Sequence, residues 1–506
     1  MAVTEKFVGQ AVLRKEDPEL LTGQARYTDN LTAPGMVWMS VVRSPFAHAR
    51  INGIDTSKAA GMPGVVAVFT AADLESEWGG PLPFVWPITE DIKVPVHWPL
   101  TKDTARFQGD GVAVVLAESR GRAEDAAEAV EVDWAPLESV TDVEEAAKDR
   151  VVIHEDLGTN VVVHWSHGGG GDQSVFDTAE VVVKERYLGP RLIPNAIEPR
   201  ACLAQPVPAM GEFTLISSTQ IPHVARVTLG GTCNIPESKL RVIAPDVGGG
   251  FGAKLNIYAE EALSLVLARR LKRPVKWVET RSENYVATTH GRGVIHDVEL
   301  AATKEGKILG IRVKELADMG AYFQLITPGT PVLGGWVYMG PYDMQAYWYE
   351  LTGIVTNATP TDAYRGAGRP EATYVLERAV DALARKLGKD PAEVRRISFV
   401  PKFLEARTAI SGLNVDSGAY EETFDKALEL AGYPDLRKEQ QRRREQADVR
   451  QLGIGLSSYI EMCGLAPSNI LGALRYAAGG WDACTVQCLP DGTVVLKIGT
   501  SPHGQS

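Results

Sequence analysis

The sequence predicts a protein of mixed α+β structure with several domains. Its 506 residues are 44% hydrophobic and 23% charged, which is ordinary for a globular protein, and the length suits about two to four domains. Apolar or alternating runs at residues 112–117 and 181–187 predict β-strands. Apolar residues at a spacing of about 3.6 between Ala372 and Leu387 predict a long amphipathic helix.

The predicted elements fall into three units along the chain. The units span residues 18–140, 160–401 and 411–506. In the first unit, residues 112–117 predict a buried strand, residues 122–132 predict a helix, and the proline-rich stretch at 81–99 predicts a loop. Residues 142–160 are typical of a connector between the first unit and the second.

Glycine and proline mark the boundaries of elements in the second unit. Four glycines at residues 168–171 predict a flexible turn near its start. Pro370 lies where the long amphipathic helix should begin, and Gly388 lies where it should end. Asp390, followed directly by Pro391, predicts the start of another helix.

Charge and hydropathy exclude several classes of protein. The formal net charge of −12 argues against a broad nucleic-acid surface, because binding phosphates needs a basic face. No apolar run approaches the roughly 20 residues that cross a bilayer. Residues 1–6 lack the basic and apolar regions of a signal peptide. We therefore expect a cytoplasmic protein.

The five cysteines do not form a metal-binding pattern. They are Cys202, Cys233, Cys463, Cys484 and Cys488, and no two of them form a C-x-x-C pair. Cys484 and Cys488 lie in a strand-like run, where they would share one face and pack as reduced thiols. A second strand is predicted at residues 493–498. These cysteines give no basis for an iron–sulfur or structural zinc site.

A glycine-rich stretch at residues 245–254 is the strongest candidate for a binding site. It reads PDVGGGFGAK and lies between an apolar run and a helix-like run at 258–271. Glycine lets the backbone approach a ligand closely, and a helix start offers unpaired N–H groups to an anion. A P-loop is excluded, because Lys254 is followed by Leu255 rather than by the Ser or Thr that would hold Mg²⁺.

A dinucleotide-binding fold is one alternative for this stretch. Gly248, Gly250 and Ala253 satisfy the G-x-G-x-x-A pattern, and Glu279 follows the next apolar strand, where a ribose-binding acid is expected in such a fold. The pattern is short and frequent by chance. The surrounding region also lacks repeated βαβ units, which counts against a Rossmann-type nicotinamide- or flavin-binding protein. A non-catalytic assembly subunit is a further alternative.

Several blocks of the chain together resemble the large subunits of molybdenum hydroxylases, the xanthine oxidase family. The similar blocks, in the order of the family, are residues 14–23 (RKEDPELLTG), 43–51 (RSPFAHARI), 195–200 (NAIEPR), 218–220 (STQ), 245–254 and 363–372 (AYRGAGRPEA). The resemblance spans almost the whole chain and is greatest to large subunits similar to aerobic carbon monoxide dehydrogenase, in a branch with glycine in place of the copper ligand. It implies an N-terminal α/β hammerhead domain followed by molybdopterin-binding domains of mixed sheets and helices.

The resemblance also implies a set of cofactor-binding residues. They are Gln220, Gly248, Gly249, Gly250, Phe251, Gly252, Arg365, Gly366, Ala367 and Gln505. Of these, Gln220, Phe251 and Arg365 match positions close to the molybdenum, and Gln220 matches a glutamine that donates a hydrogen bond to an oxo ligand. An amide suits that role because it donates without a proton that could be lost at working pH.

Two differences from other family members narrow the range of expected substrates. True carbon monoxide dehydrogenases have a copper-ligating cysteine directly after the Ala-Tyr-Arg sequence, where this chain has Gly366. Members that oxidise purines have a glutamate directly after the lysine of the glycine stretch, where this chain has Leu255. No copper is therefore expected, and an aldehyde or an N-heterocycle is favoured over carbon monoxide or xanthine.

The resemblance has further implications for cofactors and partners. It implies a molybdopterin cofactor in the cytosine dinucleotide form, with the 2Fe-2S clusters on a small subunit and the FAD on a medium subunit. Residues 499–505 match the start of the second cofactor-binding domain, and the catalytic general base, a glutamate, is expected beyond Ser506. We therefore expect a C-terminally truncated chain, incomplete or inactive alone, whose missing half a separate polypeptide could supply.

Other polar groups are better explained by structure than by chemistry. His164 and His167 are spaced i, i+3, but two loop histidines without a third ligand make a poor metal site. His223 could line a substrate pocket, yet packing or a backbone hydrogen bond is favoured. The Arg442-Arg443-Arg444 run lies in a charged helix predicted at 436–449, and its interspersed Glu residues indicate a solvated face.

Overall fold

Two large β-sheets, each with helices packed against it, organise this protein. The computed structural model describes residues 9–168, 170–464, 468–473, 475–476, 480 and 482–505. Residues 1–8, Gly169 of the predicted glycine turn, and Ser506 lie outside the described residues. None of the helices in these ranges combines the length and apolar character that a membrane span requires.

Short helices and strands alternate in the N-terminal part of the chain. They are α1 Asp17–Leu21, β1 Val37–Arg43, β2 Ala49–Asp55, α2 Ser57–Ala60, β3 Val65–Thr70, α3 Ala71–Leu74, β4 Thr104–Ala105, β5 Gly111–Ala117, α4 Arg120–Glu128, β6 Glu131–Pro136 and α5 Val143–Ala146. The strand predicted at 112–117 is confirmed by β5, and residues 81–99 form neither helix nor strand, as predicted. The connector predicted at 142–160 contains the single turn of α5.

The helix predicted at 122–132 has different bounds. α4 begins at Arg120, because the side chain of Ser119 accepts a hydrogen bond from the backbone N–H of Arg122 and caps the helix. It ends at Glu128, and β6 follows and pairs with β2 over Glu131 to Pro136. The prediction was wrong at this end because pairing with a distant strand overrides the local helical pattern.

The middle of the chain supplies most of the strands. Its elements are β7 Val161–His167, α6 Val175–Thr178, β8 Val181–Gly189, β9 Ala201–Val207, β10 Glu212–Ser217, α7 Pro222–Thr232, β11 Leu240–Ile243, α8 Ala259–Leu271, β12 Val275–Val278, α9 Arg281–Ala287, β13 Val294–Ala302, β14 Ile308–Gly320, α10 Gly329–Gly334, β15 Ala346–Val355, α11 Arg369–Leu387 and α12 Pro391–Ser398. The strand predicted at 181–187 is confirmed by β8.

Helices dominate the C-terminal part. Its elements are β16 Arg407–Thr408, β17 Asn414–Val415, α13 Tyr420–Ala431, α14 Tyr433–Glu445, α15 Ser468–Ala473, β18 Cys484–Cys488 and β19 Val494–Ile498. α14 begins and ends a few residues earlier than the charged helix predicted at 436–449. The prediction that Cys484 and Cys488 are packed was wrong, since both are exposed on the hairpin of β18 and β19.

The first sheet joins the N-terminal part of the chain to the middle part. Its seven strands lie in the order β11-β10-β9-β12-β1-β5-β3. β1 pairs in parallel with β12, and β10 pairs in parallel with β11, while the other pairings are antiparallel. α8 packs on β9 and β12 and buries an apolar surface that includes Leu263 and Leu267. This packing supplies the core beneath the glycine-rich stretch.

The second sheet supports the long helix α11. Its five strands lie in the order β7-β15-β14-β13-β8, with β14 and β15 parallel and the other neighbours antiparallel. α11 packs on β8 and β13 and buries residues that include Val375, Leu376, Val380 and Leu383. The predicted amphipathic helix is confirmed. Gly368 and Gly388 lie at its two ends in left-handed conformations.

α12 is fastened to α11 by a buried ion pair. The Asp390 side chain caps α12, as predicted, by accepting a hydrogen bond from the Ala392 backbone N–H. Within α12, Arg395 Nε donates to Glu377 Oε2 of α11 at 2.9 Å, and neither side chain is more than 5% exposed. Arg395 also donates to the Leu456 carbonyl, while the Ser458 N–H donates to Glu377. This pair therefore joins two helices to the extended segment that follows α14.

We expect Arg395→Met to lower the free energy of unfolding by about 3–5 kcal/mol, because it leaves the Glu377 carboxylate buried without its charge partner. Thermal or denaturant-induced unfolding, followed by circular dichroism, measures this change. Lys438→Met is the control, since Lys438 and Asp435 form an exposed ion pair at 2.9 Å. Equal unfolding midpoints for the two variants would contradict the structural role of the Arg395–Glu377 pair.

Candidate cofactor-binding site

The glycine-rich stretch folds into a tight loop between β11 and α8. Gly249 and Gly252 have φ angles of +99° and +94°, which glycine adopts without steric cost. Phe251 also has a positive φ, +54°, and is 40% exposed. A non-glycine residue in this conformation is uncommon and marks a local constraint on the backbone.

Neighbouring segments press against this loop and leave no space for side chains on three of its glycines. A Cβ atom on Gly248 would lie 2.6 Å from Cβ of Glu198. One on Gly250 would overlap the side-chain amide of Gln220, and one on Gly252 would overlap the Ala363 carbonyl. The loop is therefore a junction at which several distant segments of chain meet at close range.

Gln220 forms two hydrogen bonds with the loop, one through its side chain and one through its backbone. Its Oε1 atom accepts a hydrogen bond from the Gly252 N–H at 3.0 Å, and its backbone N–H donates to the Lys254 carbonyl at 2.8 Å. The side-chain nitrogen of Gln220 has no hydrogen-bond partner among the residues that the structure describes. The amide is therefore oriented by its oxygen and keeps two N–H donors for a ligand.

The segment at residues 364–368 lies on the other side of the loop. The Arg365 N–H donates to the Phe251 carbonyl at 2.9 Å, and the exposed Arg365 guanidinium lies 5.9 Å from the centre of the Phe251 ring. Gly366 and Ala367 have φ angles of +96° and +43°, so the backbone turns sharply before α11 begins. Gln220, the glycine loop and Arg365 are thus brought together, and their role in cofactor binding stays a prediction.

The segment before Gln505 also contacts the loop. The Gly249 N–H donates to the His503 carbonyl at 3.1 Å, and the His503 N–H donates to Gln505 Oε1 at 2.7 Å. Gln505, which the resemblance assigns to the second cofactor-binding domain, therefore lies close to the residues assigned to the first. This contact brings all the predicted cofactor-binding segments into one region.

The sequence did not predict the ion pair that holds the Gly248 end of the loop. Glu198 Oε2 accepts hydrogen bonds from the Gly248 N–H at 2.7 Å and from Lys254 Nζ at 2.8 Å. Burial lowers the pKa of Lys254, and Glu198 opposes that shift. Glu198 lies in the NAIEPR block at residues 195–200. That block supported the resemblance to the family, but it did not predict a role for the Glu198 side chain.

A second buried network lies beneath the site. Arg200 donates to Glu260 at 2.8 Å and to Glu279 at 2.7 Å, and Arg43 donates to Glu260 at 2.7 Å. Burial alone would raise the pKa of Glu260, but the charges of Arg200 and Arg43 outweigh it and hold that pKa at about 2. The network ties the first turn of α8 to the start of β9 and the end of β12.

The buried charges contradict two predictions from the sequence, an anion site at the start of α8 and a ribose-binding role for Glu279. α8 begins at Ala259, several residues beyond the loop, and its first turn contains the buried Glu260 and Glu261, so the helix start is not an anion site. Glu279 is held by Arg200, Asn284 and Thr288, which leaves no carboxylate oxygen for a ribose. The expectation of a ribose-binding acid was wrong.

The sheet topology excludes the Rossmann alternative. β11, which leads into the loop, is the edge strand of a mixed sheet and pairs only with β10 in that sheet. The next pairings, β10 with β9 and β9 with β12, are antiparallel. A dinucleotide fold needs a parallel, doubly wound sheet with its crevice at a change in strand order.

The remaining polar groups behave as structural residues. His167 Nε2 lies 2.6 Å from the Ser411 carbonyl and its ring stacks on Trp165, while His164 Nδ1 lies 3.2 Å from the Thr352 hydroxyl. Within the described ranges, no three His, Cys, Asp or Glu side chains are grouped to hold a metal ion. The neighbouring arginines of α14 pair with Glu439 on its exposed face, which confirms the solvated-face interpretation. His223 is exposed and has no hydrogen bond to any residue that the structure describes, so the preference for packing or a backbone hydrogen bond is not supported.

Family models match the chain in three consecutive regions. The aldehyde oxidase and xanthine dehydrogenase a/b hammerhead domain matches residues 22–138. Molybdopterin cofactor-binding domains match residues 153–399 and 426–506. The glycine loop, Gln220 and the 364–368 segment all lie within the first of these cofactor-binding regions.

Individual relatives and solved structures agree with these matches. The carbon monoxide dehydrogenase large chain of Hydrogenophaga pseudoflava is 38% identical over 97% of this chain and 62% of its own length. The nicotine 6-hydroxylase large subunit of Paenarthrobacter nicotinovorans is 35% identical over 99% of this chain and 61% of its own. Quinoline 2-oxidoreductase from Pseudomonas putida 86 superposes with a TM-score of 0.92 at 33% identity, over 99% of this chain and 63% of that one.

The chain thus spans less than two thirds of the length of these relatives, yet nearly all of it is matched. The matched models, the relatives and the superposition all identify the same group of molybdenum oxidoreductases. The mixed fold with an N-terminal hammerhead region, predicted from the sequence, is confirmed. The chain belongs to the xanthine oxidase family, among its molybdopterin-binding large subunits.

Proposed function

We propose that this chain forms one side of the molybdenum site of a hydroxylase that acts on an N-heteroaromatic substrate. The observation that supports the proposal most directly is the Gln220 amide, which is fixed by Gly252 and keeps two N–H donors beside a loop with no space for side chains at positions 248, 250 and 252. A bound molybdopterin centre supplies the two-electron oxidation of a substrate carbon, with water as the source of oxygen.

The residues of the loop fit a molybdopterin cofactor. Glycine at 248, 250 and 252 lets the backbone approach a bulky ligand closely. The exposed Phe251 ring offers an apolar wall, and the Arg365 guanidinium lies beside it with no ion-pair partner among the described residues. A donor amide, an apolar ring and a cation next to tightly bent backbone suit a metal with anionic oxygen and sulfur ligands.

Each of these residues has a separate role in the proposed site. Gln220 would donate hydrogen bonds to the bound cofactor, and Arg365 would stabilise the negative charge that the cofactor brings. Glu198 and Lys254 hold the Gly248 end of the loop, so that the Gly252 end stays aligned with Gln220. Gln505 would help to hold the pterin or its dinucleotide phosphates.

We base the substrate class on two positions, Gly366 and Leu255, at which this chain differs from family members that oxidise carbon monoxide or purines. Gly366 provides no thiolate for copper, and its φ of +96° and contact with Pro370 leave no space for a side chain. Leu255 replaces the glutamate expected for purine oxidation. Relatives named for nicotine and quinoline support an N-heteroaromatic ring as the substrate, ahead of an aldehyde.

The proposed enzyme needs partner subunits. In this proposal the electrons leave through iron–sulfur and FAD groups on other subunits. One relative, 33% identical, is named as subunit gamma of a dehydrogenase complex, which supports such an assembly. The cytosine dinucleotide form of the cofactor and the cytoplasmic location stay predictions.

The test is to purify the chain alone and together with the products of neighbouring genes. We expect molybdenum in the assembled protein by elemental analysis, and reduction of an electron-accepting dye with quinoline or nicotine. Benzaldehyde, xanthine and carbon monoxide serve as competing substrates, and greater turnover of any of them would revise the substrate class. Absence of bound molybdenum in every preparation would overturn the proposed function.

We expect Gly250→Ala to lower the molybdenum content of the assembled protein severely, because the added methyl group overlaps the Gln220 amide. Elemental analysis and the dye assay measure the effect. Gly231→Ala, in α7, is the matched control, since a Cβ there has no atom within 4 Å. Similar molybdenum content in the two variants would show that the contact between the loop and Gln220 does not matter for binding.

We expect Gln220→Glu to lower kcat by about 100-fold while the molybdenum content stays high, because one carboxylate oxygen still accepts from Gly252 while the N–H donors are lost. Gln220→Ala removes both interactions and should lower molybdenum content as well. Steady-state kinetics normalised to molybdenum content distinguish the two variants. A wild-type kcat in Gln220→Glu would contradict the donor role of the amide.

A further inference from the structure

A small cavity lies against Gly368, the last residue of the 364–368 segment. Its volume is about 20 Å³, and Arg292, Thr330, Asp362, Gly368 and Glu371 are among the residues that line it. Glu371 is in the first turn of α11 and is 7% exposed, and Thr330 in α10 is 8% exposed. Polar groups at this depth need hydrogen-bond partners.

Two oxygens of the residues that line this cavity have no partner among the described groups. They are Glu371 Oε2 and Thr330 Oγ1, and both atoms are buried. A cavity of this size holds one water molecule, which needs at least about 10–15 Å³ and two or more polar partners. One ordered water between the carboxylate and the hydroxyl would satisfy both oxygens.

The other oxygen of Glu371 connects the cavity to the cofactor site. Glu371 Oε1 accepts a hydrogen bond from Arg292 Nη1 at 3.0 Å. The same guanidinium donates to the carbonyls of Tyr364 at 3.1 Å and Arg365 at 2.9 Å, and it lies 4.7 Å from the centre of the Tyr364 ring. Arg292 therefore binds two successive backbone carbonyls, those of the Tyr364–Arg365 and Arg365–Gly366 peptide bonds.

We propose that Glu371 is a positioning residue of the cofactor site, which acts with a water in this cavity to orient Arg292 and thereby the backbone of Tyr364 and Arg365. The proposal rests on the proposed function for its catalytic consequence. Among the described residues, Glu371 forms no hydrogen bond or ion pair with the glycine loop or with Arg365. Its influence passes from Arg292 to the Arg365 backbone, whose N–H in turn binds the Phe251 carbonyl.

Loss of Glu371 should release this segment. The Arg292 side chain is 11% exposed, so without its carboxylate partner it remains a nearly buried, uncompensated charge. Arg292 would then turn towards solvent and leave the Tyr364 and Arg365 carbonyls. The Arg365 guanidinium and the Phe251 ring would lose their fixed relative position, although the core around α11 would stay intact.

Hydrogen exchange followed by mass spectrometry tests the proposal without any need for bound cofactor. In the full chain, we expect Glu371→Leu to increase the exchange rate of the Arg365, Ala367 and Arg369 amides about 100-fold, and Glu371→Gln to increase it less because the amide still accepts from Arg292. Glu377→Gln is the matched control, a buried glutamate of the same helix paired with Arg395. Equal exchange of residues 364–369 in Glu371→Leu and Glu377→Gln would overturn the proposal.

Kinetics of the assembled enzyme separate positioning from general stability. We expect Glu371→Leu to lower kcat per bound molybdenum at least about 10-fold with KM nearly unchanged, because the misplaced groups act on the cofactor rather than on the substrate. Partial recovery in Glu371→Gln supports the proposal, and equal kcat values in Glu371→Leu and Glu377→Gln overturn its catalytic part. If no preparation binds molybdenum, the proposed function fails while the exchange experiment still decides the role of Glu371.

The water is tested by a high-resolution crystal structure. Electron density within hydrogen-bonding distance of Glu371 Oε2 and Thr330 Oγ1 supports it, and continuous absence of density there overturns it. Thr330→Val keeps the shape of the side chain and removes the hydroxyl. We expect this variant to lose the density and to increase the exchange of residues 364–369 by about 5-fold, which reflects the loss of one neutral hydrogen bond.

Discussion

The steric exclusion of side chains at Gly248, Gly250 and Gly252 is the constraint on which the rest of the site depends. Three segments that are remote in sequence touch this loop where a Cβ atom would lie on Gly248, Gly250 and Gly252. Because each contact is made by backbone or by a short polar side chain, the positions of Gln220 and Arg365 are defined relative to each other through the loop. The site is therefore assembled by close packing of main chain rather than by a binding pocket lined with large side chains.

The core next to the glycine loop contains several buried charged side chains. Arg200, Glu260 and Glu279 are nearly inaccessible to solvent, and each has a charged partner with good geometry. Such networks contribute little net stability compared with apolar packing, but they are very unfavourable when one member is lost. They restrict the ways in which β9, β12 and α8 can pack, and this restriction keeps the loop in one conformation.

Local sequence patterns predicted the helices and strands well, but they predicted the contacts between distant segments poorly. The long helix α11 and the strand β5 follow from apolar periodicity and from glycine and proline at their ends. The early end of α4 could not be predicted, since β6 forms through pairing with a distant strand. The exposure of Cys484 depends on what its strand packs against, which periodicity does not describe. The residues of the site came from resemblance, and the ion pair of Glu198 with Lys254 escaped notice because it joins segments with no shared local pattern.

The parallel pairing of β1 with β12 has a consequence for biosynthesis. Val37 lies opposite Val275 in the sheet, so the N-terminal strands complete their hydrogen bonding only after β12 has left the ribosome. Pairing over so long a loop is slow, and the unpaired edge of β1 would be exposed to aggregation while translation continues. The nascent chain therefore has an unpaired strand edge until β12 becomes available for pairing.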